Sequence, residues 1–252
     1  MTAEDVIAAL DLPASARLDR RVPKKLLLEN GAPTATDRKA INDGVDELRW
    51  IAALKATTIG VPPYSDDVRE YLEIAVLQLT TRPETRTARL ASLVHRAVPY
   101  PALLVIGDER HVVISTAHKR LSLGEAGKTV LDDEGVAIQL DEPGDAAWLP
   151  TFLDSLALAS QPRTSILAVY QGWIDTLIAL MAARVTGQFV VLHAPVEKDA
   201  RREAISDYAR VTTEMASLRK AAARETQLPR QVETNQELAR LRATQSEARA
   251  KL

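Results

Sequence analysis

Cysteine is absent from this chain of 252 residues. That removes disulfide frameworks, thiolate zinc sites, iron–sulfur clusters and cysteine nucleophiles at once. Histidine is scarce, with four in all, which leaves little material for a histidine metal cage. Aromatic residues make up 4% and are not interleaved with the basic stretches, so the stacking platform of single-stranded nucleic-acid binders is missing. Neither sign of charge dominates. Thirty-two Lys and Arg face 34 Asp and Glu, a net charge of −2, so no global excess points to nucleic acid or to disorder. What is present is an ordinary globular composition, 46% apolar and 26% charged. Its length allows one large domain or two small ones.

Long hydrophobic runs are also few. The longest, Ile166 to Val185, carries Gln171, Asp175 and Arg184, and an acid near mid-span is costly in lipid. An amphipathic or buried helix fits it better than a membrane span. The opening segment Met1–Leu10 holds Glu4 and Asp5 where a secretory signal needs positive charge. The expectation is a cytoplasmic protein without membrane contact.

Hydrophobic periodicity predicts a helix over about 3–10, then a basic stretch with Arg17, Arg20, Arg21, Lys24 and Lys25 diluted by Asp19. Asn30-Gly31 reads as a turn. Thr34 or Thr36 caps a helix carrying Ile41, Val45, Leu48 and Ile51 at helical spacing. Tyr71–Thr80 reads as a buried strand, followed by a helix from about Glu84 to Val98 that Pro99 and Pro101 stop. Ala102–Ile106 and His111–Thr116 form a hairpin around Gly107-Asp-Glu-Arg110, and Val136–Leu140 is a third strand. From Trp148 the pattern is helical: a short helix around Phe152 and Leu156, then Ser165–Thr186 capped by Gly187. Phe189–Leu192 reads as a strand returning to the sheet. Tyr208, Val211, Met215, Leu218 and Ala222, and then Leu238, Leu241, Gln245, Ala248 and Leu252, alternate threes and fours across a break at Pro229. The fold class is therefore α/β (α+β): a mixed sheet with packed helices over 1–197, then a helical hairpin or coiled-coil-like tail over 198–252.

No reactive motif is complete. Ser122-Leu-Gly124-Glu-Ala-Gly127-Lys128-Thr129 resembles the back half of a phosphate-binding loop, but Ser122 stands where the motif has glycine, and no helix follows. It reads as a surface loop. His111 and His118 are seven apart, on opposite faces of a strand, so they cannot share a metal; His95 and His193 are isolated. No metal-binding His-Glu-x-x-His, nucleophile elbow or dinucleotide fingerprint occurs. The acids Glu70, Glu73, Asp108 and Asp132-Asp-Glu134 lack the Glu-x-Lys partner of a nuclease strand. No residue is assigned a catalytic or metal-binding role, and nothing calls for a cofactor. The residues that fit binding are Tyr170 and Trp173 on the long helix with Tyr208, Met215, Leu218, Leu238 and Leu241 of the tail, for a protein partner. Arg20, Arg21, Lys24, Lys25, Lys119 and Arg120 fit phosphate contacts.

Four segments taken together carry a resemblance. They are Val22-Pro-Lys-Lys-Leu26 with Asn30-Gly31, Val98-Pro-Tyr-Pro-Ala-Leu-Leu-Val-Ile106, Tyr170-Gln-Gly-Trp173 running to Thr186-Gly187-Gln-Phe189, and Leu228-Pro-Arg-Gln-Val-Glu-Thr-Asn235. In order and spacing the chain resembles, over nearly its whole length, the bacterial "domain of unknown function four-three-nine-one" family. The resemblance implies a place beside helicases and type III-like DNA methyltransferases in anti-phage defence islands, and it carries over no catalytic residues, since none are established for the family. The expected function is a non-catalytic accessory or adaptor subunit of a DNA-modification or restriction assembly, touching DNA through the complex. The alternatives are a metal-dependent nuclease with a degenerate motif and a DNA-binding module.

Overall fold

The computed structural model describes every residue except Glu84, Glu109, Ala126, Glu134, Pro143, Glu225 and Thr226, together with the side chain of Leu228. The expected helix start at Glu84 and one residue each of the expected turns at 107–110, 132–134 and 142–144 lie outside the described residues.

In chain order the elements are α1 (Ala3–Ala9), β1 (Arg17–Arg21), α2 (Lys24–Asn30), α3 (Ala35–Gly44), β2 (Val45–Lys55), α4 (Ala56–Ile59), β3 (Tyr64–Ser65), β4 (Glu70–Tyr71) and β5 (Glu73–Thr81). Then follow α5 (Thr87–Ala97), β6 (Ala102–Gly107), β7 (Val112–Thr116), β8 (Lys119–Leu121), β9 (Thr129–Leu131), β10 (Val136–Gln139), α6 (Leu149–Leu156), α7 (Ile166–Thr186), α8 (Pro195–Ala222) and α9 (Leu228–Ala250). The chain is a mixed α+β protein that divides into two compact units, Met1–Leu177 and Ile178–Leu252. That division falls inside α7, which runs unbroken from Ile166 to Thr186.

The first unit is built on a six-stranded sheet ordered β1-β2-β5-β6-β7-β10. Only β5 and β6 pair in parallel, Ala75 opposite Ala102 through Thr80 opposite Gly107. A parallel pair needs a crossover, and α5 supplies it. Leu90, Leu93 and Val94 of α5 pack with Leu27 of α2, Ile41 of α3 and the sheet residues Val45, Leu48, Leu77, Leu79, Leu104 and Ile106. The opposite face is covered by α1, which lies on β6 and against α6, and by the start of α7. The hairpin β6–β7 and the strand β10 stand as expected from sequence.

Two expectations fail. The helix carrying Ile41 stops at Gly44, and Val45–Lys55 is an eleven-residue strand. Its register against β5 jumps from Val45 opposite Thr81 to Glu47 opposite Thr80, and again from Trp50 opposite Leu77 to Ala52 opposite Val76. Each jump is a β-bulge, which inserts one residue. Val45 and Leu48 consequently face one core while standing three apart, the spacing that mimics a helix. Phe189–Leu192 is irregular rather than a strand, since the second unit contains no strand among the described residues to complete a ladder.

Beyond the end of α7, that second unit is an antiparallel helical pair, α8 and α9. Val211, Met215 and Leu238 form its buried seam, with Leu218 and Leu241 packed against them, and Gln245 Nε2 donates to Thr212 Oγ1 at 2.7 Å. Arg201, also buried, donates to the Leu252 carbonyl at 2.9 Å and ties the start of α8 to the end of the chain.

Two side-chain arrangements hold the body. Gly31 ends α2 where a Cβ would stand 2.5 Å from the Leu93 carbonyl and 2.9 Å from the Ala97 Cβ, so space rather than backbone angle selects glycine. The C-terminus of α5, where His95 is buried and Ala97 and Val98 are half-buried, leaves carbonyls without helical partners. Lys119, 2% exposed, donates to His95 O at 2.7 Å and to Val98 O. The negative end of the helix dipole favours a cation there, while burial pulls the Lys119 ammonium down to about 8.

Two outcomes follow from these arrangements. Gly31→Ala should destabilise the protein by about 1–3 kcal/mol, the cost of overpacking, read as a lower midpoint in urea with an unchanged slope. Because Lys119 holds its proton less tightly folded than unfolded, stability rises with pH between about 8 and the ordinary lysine value. The stability of the native chain relative to Lys119→Met should therefore climb by up to about 1.4 kcal/mol per pH unit across that window. A pH-independent difference would show that Lys119 is equally protonated in both states.

Candidate functional site

The expected protein-binding residues are spent inside the protein. Tyr170 and Trp173 are wholly buried. The Tyr170 hydroxyl accepts from the Ala117 N–H at 2.9 Å and donates to the Ala102 carbonyl at 2.9 Å, while the Trp173 indole donates to the Leu156 carbonyl at 2.8 Å. These bonds satisfy the polar handles that buried Tyr and Trp need, and they fasten α7 to the sheet and to α6. The assignment of Tyr170 and Trp173 to a partner surface is therefore corrected: both are core. In the tail, Met215 and Leu238 are buried against each other's helix, Leu218 and Leu241 flank them, and Tyr208 is half-buried. Each tail helix is the partner that the other's apolar stripe requires.

The expected phosphate-contacting residues do not converge. Lys119 is buried as the cap of α5, which corrects its assignment to a nucleic-acid surface. Arg120 stands 3.6 Å from Asp132, which also takes Arg69. Lys24 donates to the Val45 carbonyl, Lys25 pairs with Glu29 at 3.5 Å, and Arg21 with Glu47 at 3.6 Å. Arg20 is exposed and makes no ion pair among the described residues. Arg20 and Arg21 thus sit on β1, Lys24 and Lys25 on α2, and Lys119 and Arg120 on β8.

The histidines have separate fates. His118 is buried and receives a hydrogen bond from the Tyr71 hydroxyl at its Nδ1, 2.7 Å away, while its Nε2 donates to Gln171 Oε1 at 2.9 Å. Burial pushes the Tyr71 phenol up to about 12, so it keeps the proton it donates. Gln171 passes the chain on to Asp175 at 2.7 Å. His95 is buried beside Ser115, and burial with the nearby Lys119 pulls it down to about 3, which keeps it neutral. Both ring nitrogens of His118 are satisfied within the core, whereas His95 bonds Ser115 through Nε2 and leaves its buried Nδ1 without a partner among the described residues. His111 differs: it is exposed, and its hydrogen bond with Asp141 raises its pKa. It lines an open cleft of about 320 Å³ with Thr85, Thr87, Asp108, Arg110 and Gln139, at the ends of β5 and β6 where α5 begins. Nothing in sequence linked His111 to Asp141, thirty residues away. Among the described residues no three of His, Asp and Glu gather as a metal site. The loop with the partial phosphate motif, Ser122 to Lys128, is the exposed turn between β8 and β9, where Lys128 pairs with Glu125.

The structure draws out a feature that sequence reasoning passed over, one of the two margins of the sheet, the other being β10. β1 is its terminal strand, pairing only with β2, and all five of its residues are exposed. Beside it a groove of about 370 Å³ is lined by Glu4, Ile7 and Ala8 of α1 and by Arg17, Asp19, Arg49, Ile51 and Gln78 of the sheet.

Helix α7 is long and apolar enough to cross a membrane, and 78% of its apolar window is buried, as expected of a core helix. A family model described as "Domain of unknown function (DUF4391)" matches residues 10–244. No curated protein and no solved structure matches the chain. With that match running from just after α1 to the last turns of α9, this chain belongs to the DUF4391 family.

Proposed function

We propose that this chain is a non-catalytic accessory subunit of a bacterial DNA-modification or restriction assembly, a cytoplasmic adaptor that holds a helicase or a DNA methyltransferase and meets DNA through that complex. The observation that carries this reading is the terminal strand β1, all five residues of which are exposed. A strand edge carries a row of backbone donors and acceptors that recruits another chain, and adaptors use such edges to hold partners. The reading is also supported by what the core does with its reactive side chains: the hydroxyls of Tyr71 and Tyr170 and the ring nitrogens of His118 bond neighbours inside the body. The histidine–aspartate pair at the mouth of the open cleft is the feature that favours a catalytic alternative, because a histidine with a raised pKa can give and take protons near neutrality.

Co-expression of the tagged full-length chain with a bacterial helicase and with a type III-like DNA methyltransferase tests the proposal. Stable co-purification of at least one, with no cleavage of DNA or RNA by the isolated chain in Mg²⁺ or Mn²⁺, is the expected result. Metal-dependent cleavage that His111→Ala abolishes would replace the adaptor with a nuclease.

A further inference from the structure

The margin of β1 is specific about what it can hold. Val22 N–H donates to the Leu48 carbonyl at 2.8 Å, so the backbone of Val22 points into the sheet. By the alternation of an antiparallel ladder, Arg21 points its N–H and C=O the other way, outward. A positive φ of 49° at Asp19 and a register shift between Arg17 and Arg20 mark a bulge just upstream, which confines regular pairing to the stretch from Arg20 onward. Bulges and charges are how edges avoid pairing indiscriminately. Three arginines, Arg17, Arg20 and Arg21, against the single Asp19 set like charge against like if a second copy of β1 approaches. Arg17 and Arg20 make no ion pair among the described residues, and they serve two sides of the strand. Arg17 lines the groove with Ile7 and Ile51, whereas Arg20 stands opposite Trp50, which packs against the α5 face.

We infer that β1 receives an extended acidic segment of a partner protein by strand addition. The segment pairs its backbone with Arg21, sets acidic side chains against Arg17 and Arg20, and places an apolar side chain over Ile7 and Ile51. A phosphodiester chain fits this edge less well, because it offers acceptors alone and leaves the outward carbonyl of Arg21 unmatched, whereas a peptide offers both donor and acceptor. The inference rests on the adaptor reading and names how that adaptor grips its partner.

The probe is a short fluorescein-labelled peptide of alternating Glu and Val, titrated into the full-length chain beside its Lys–Val counterpart and a DNA oligonucleotide. The Glu–Val peptide should bind saturably and best. Arg21→Pro removes the outward N–H and should weaken it about tenfold, the worth of a lost hydrogen bond at an interface, while Arg21→Ala keeps the N–H and should cost less. Arg17→Glu combined with Arg20→Glu should transfer the preference to the Lys–Val peptide. Independently of any variant, the bound peptide should slow hydrogen exchange at the Arg21 amide. No binding of the acidic peptide, an unchanged Arg21 amide, or tighter binding of DNA would each overturn strand addition. Helicase or methyltransferase co-purification that survives Arg21→Pro would sink the strand mechanism and leave the adaptor reading standing, whereas failure of the native chain to co-purify with either would sink that reading itself.

Discussion

The parallel pairing of β5 with β6 is the constraint on which the rest of the body depends. Antiparallel neighbours can be joined by a tight turn, but a parallel pair must be reached by a crossover that returns the chain to the starting end. Helix α5 is that crossover, and its apolar face of Leu90, Leu93 and Val94 nucleates the core against α2, α3 and the sheet. Burying α5 has a consequence at its far end. The last carbonyls of a helix have no partner within it, and here that of His95 is buried and that of Val98 partly so. Lys119, arriving at the start of β8, fills that need from a distant part of the chain. One side chain that looks like a nucleic-acid contact in sequence is thereby consumed by topology.

The same logic governs the other face. Tyr71, His118 and Tyr170 lie within about van der Waals reach of one another as tilted and edge-on rings, with centroids 5.6 to 6.1 Å apart. Their polar atoms reach the backbone at Ala102, Ala117 and Lys119. A buried polar network of this kind is stabilising only when each member is satisfied. Burial holds both phenols protonated near neutral pH, so the donors remain donors there. The cluster has the residue types of an active site and the geometry of a fastener.

How far the sequence revealed this depends on which interactions carry each element. The β6–β7 hairpin and the ends of α5 and α7 were legible, because turn residues, Pro99 and Gly187 act locally; Gly187 indeed takes a positive φ of 81°. Pro229 was legible in the same way and sits in the first turn of α9, where its missing N–H costs nothing. β2 was misread because two bulges stretched its alternation to a spacing of three. β1 was invisible as a strand for a different reason. Both of its faces are exposed, so no hydrophobic pattern marks it, and only backbone pairing with β2 makes it a strand. The apolar stripes of α8 and α9 were legible as stripes. Which surface they cover was not, since period alone does not distinguish a stripe that awaits a partner from one that already has it.

That last distinction bears on where binding capacity resides. Apolar side chains are the signal by which interfaces are usually sought in sequence, and here the strongest such signals, Tyr170, Trp173, Met215 and Leu238, are satisfied within the chain. What remains free on the sheet is backbone, which has no signature in side-chain chemistry. A strand edge is specific because its donors and acceptors alternate at fixed intervals, and because the charges around it reject most strands. On β1 the regular part of that pattern is confined to the stretch from Arg20 onward, with the arginines beside it. The basic stretch that reads as a phosphate-binding patch is divided by the fold: Lys24 is tied to the Val45 carbonyl and Lys25 to Glu29 on α2, while Arg17, Arg20 and Arg21 lie along a terminal strand of the sheet.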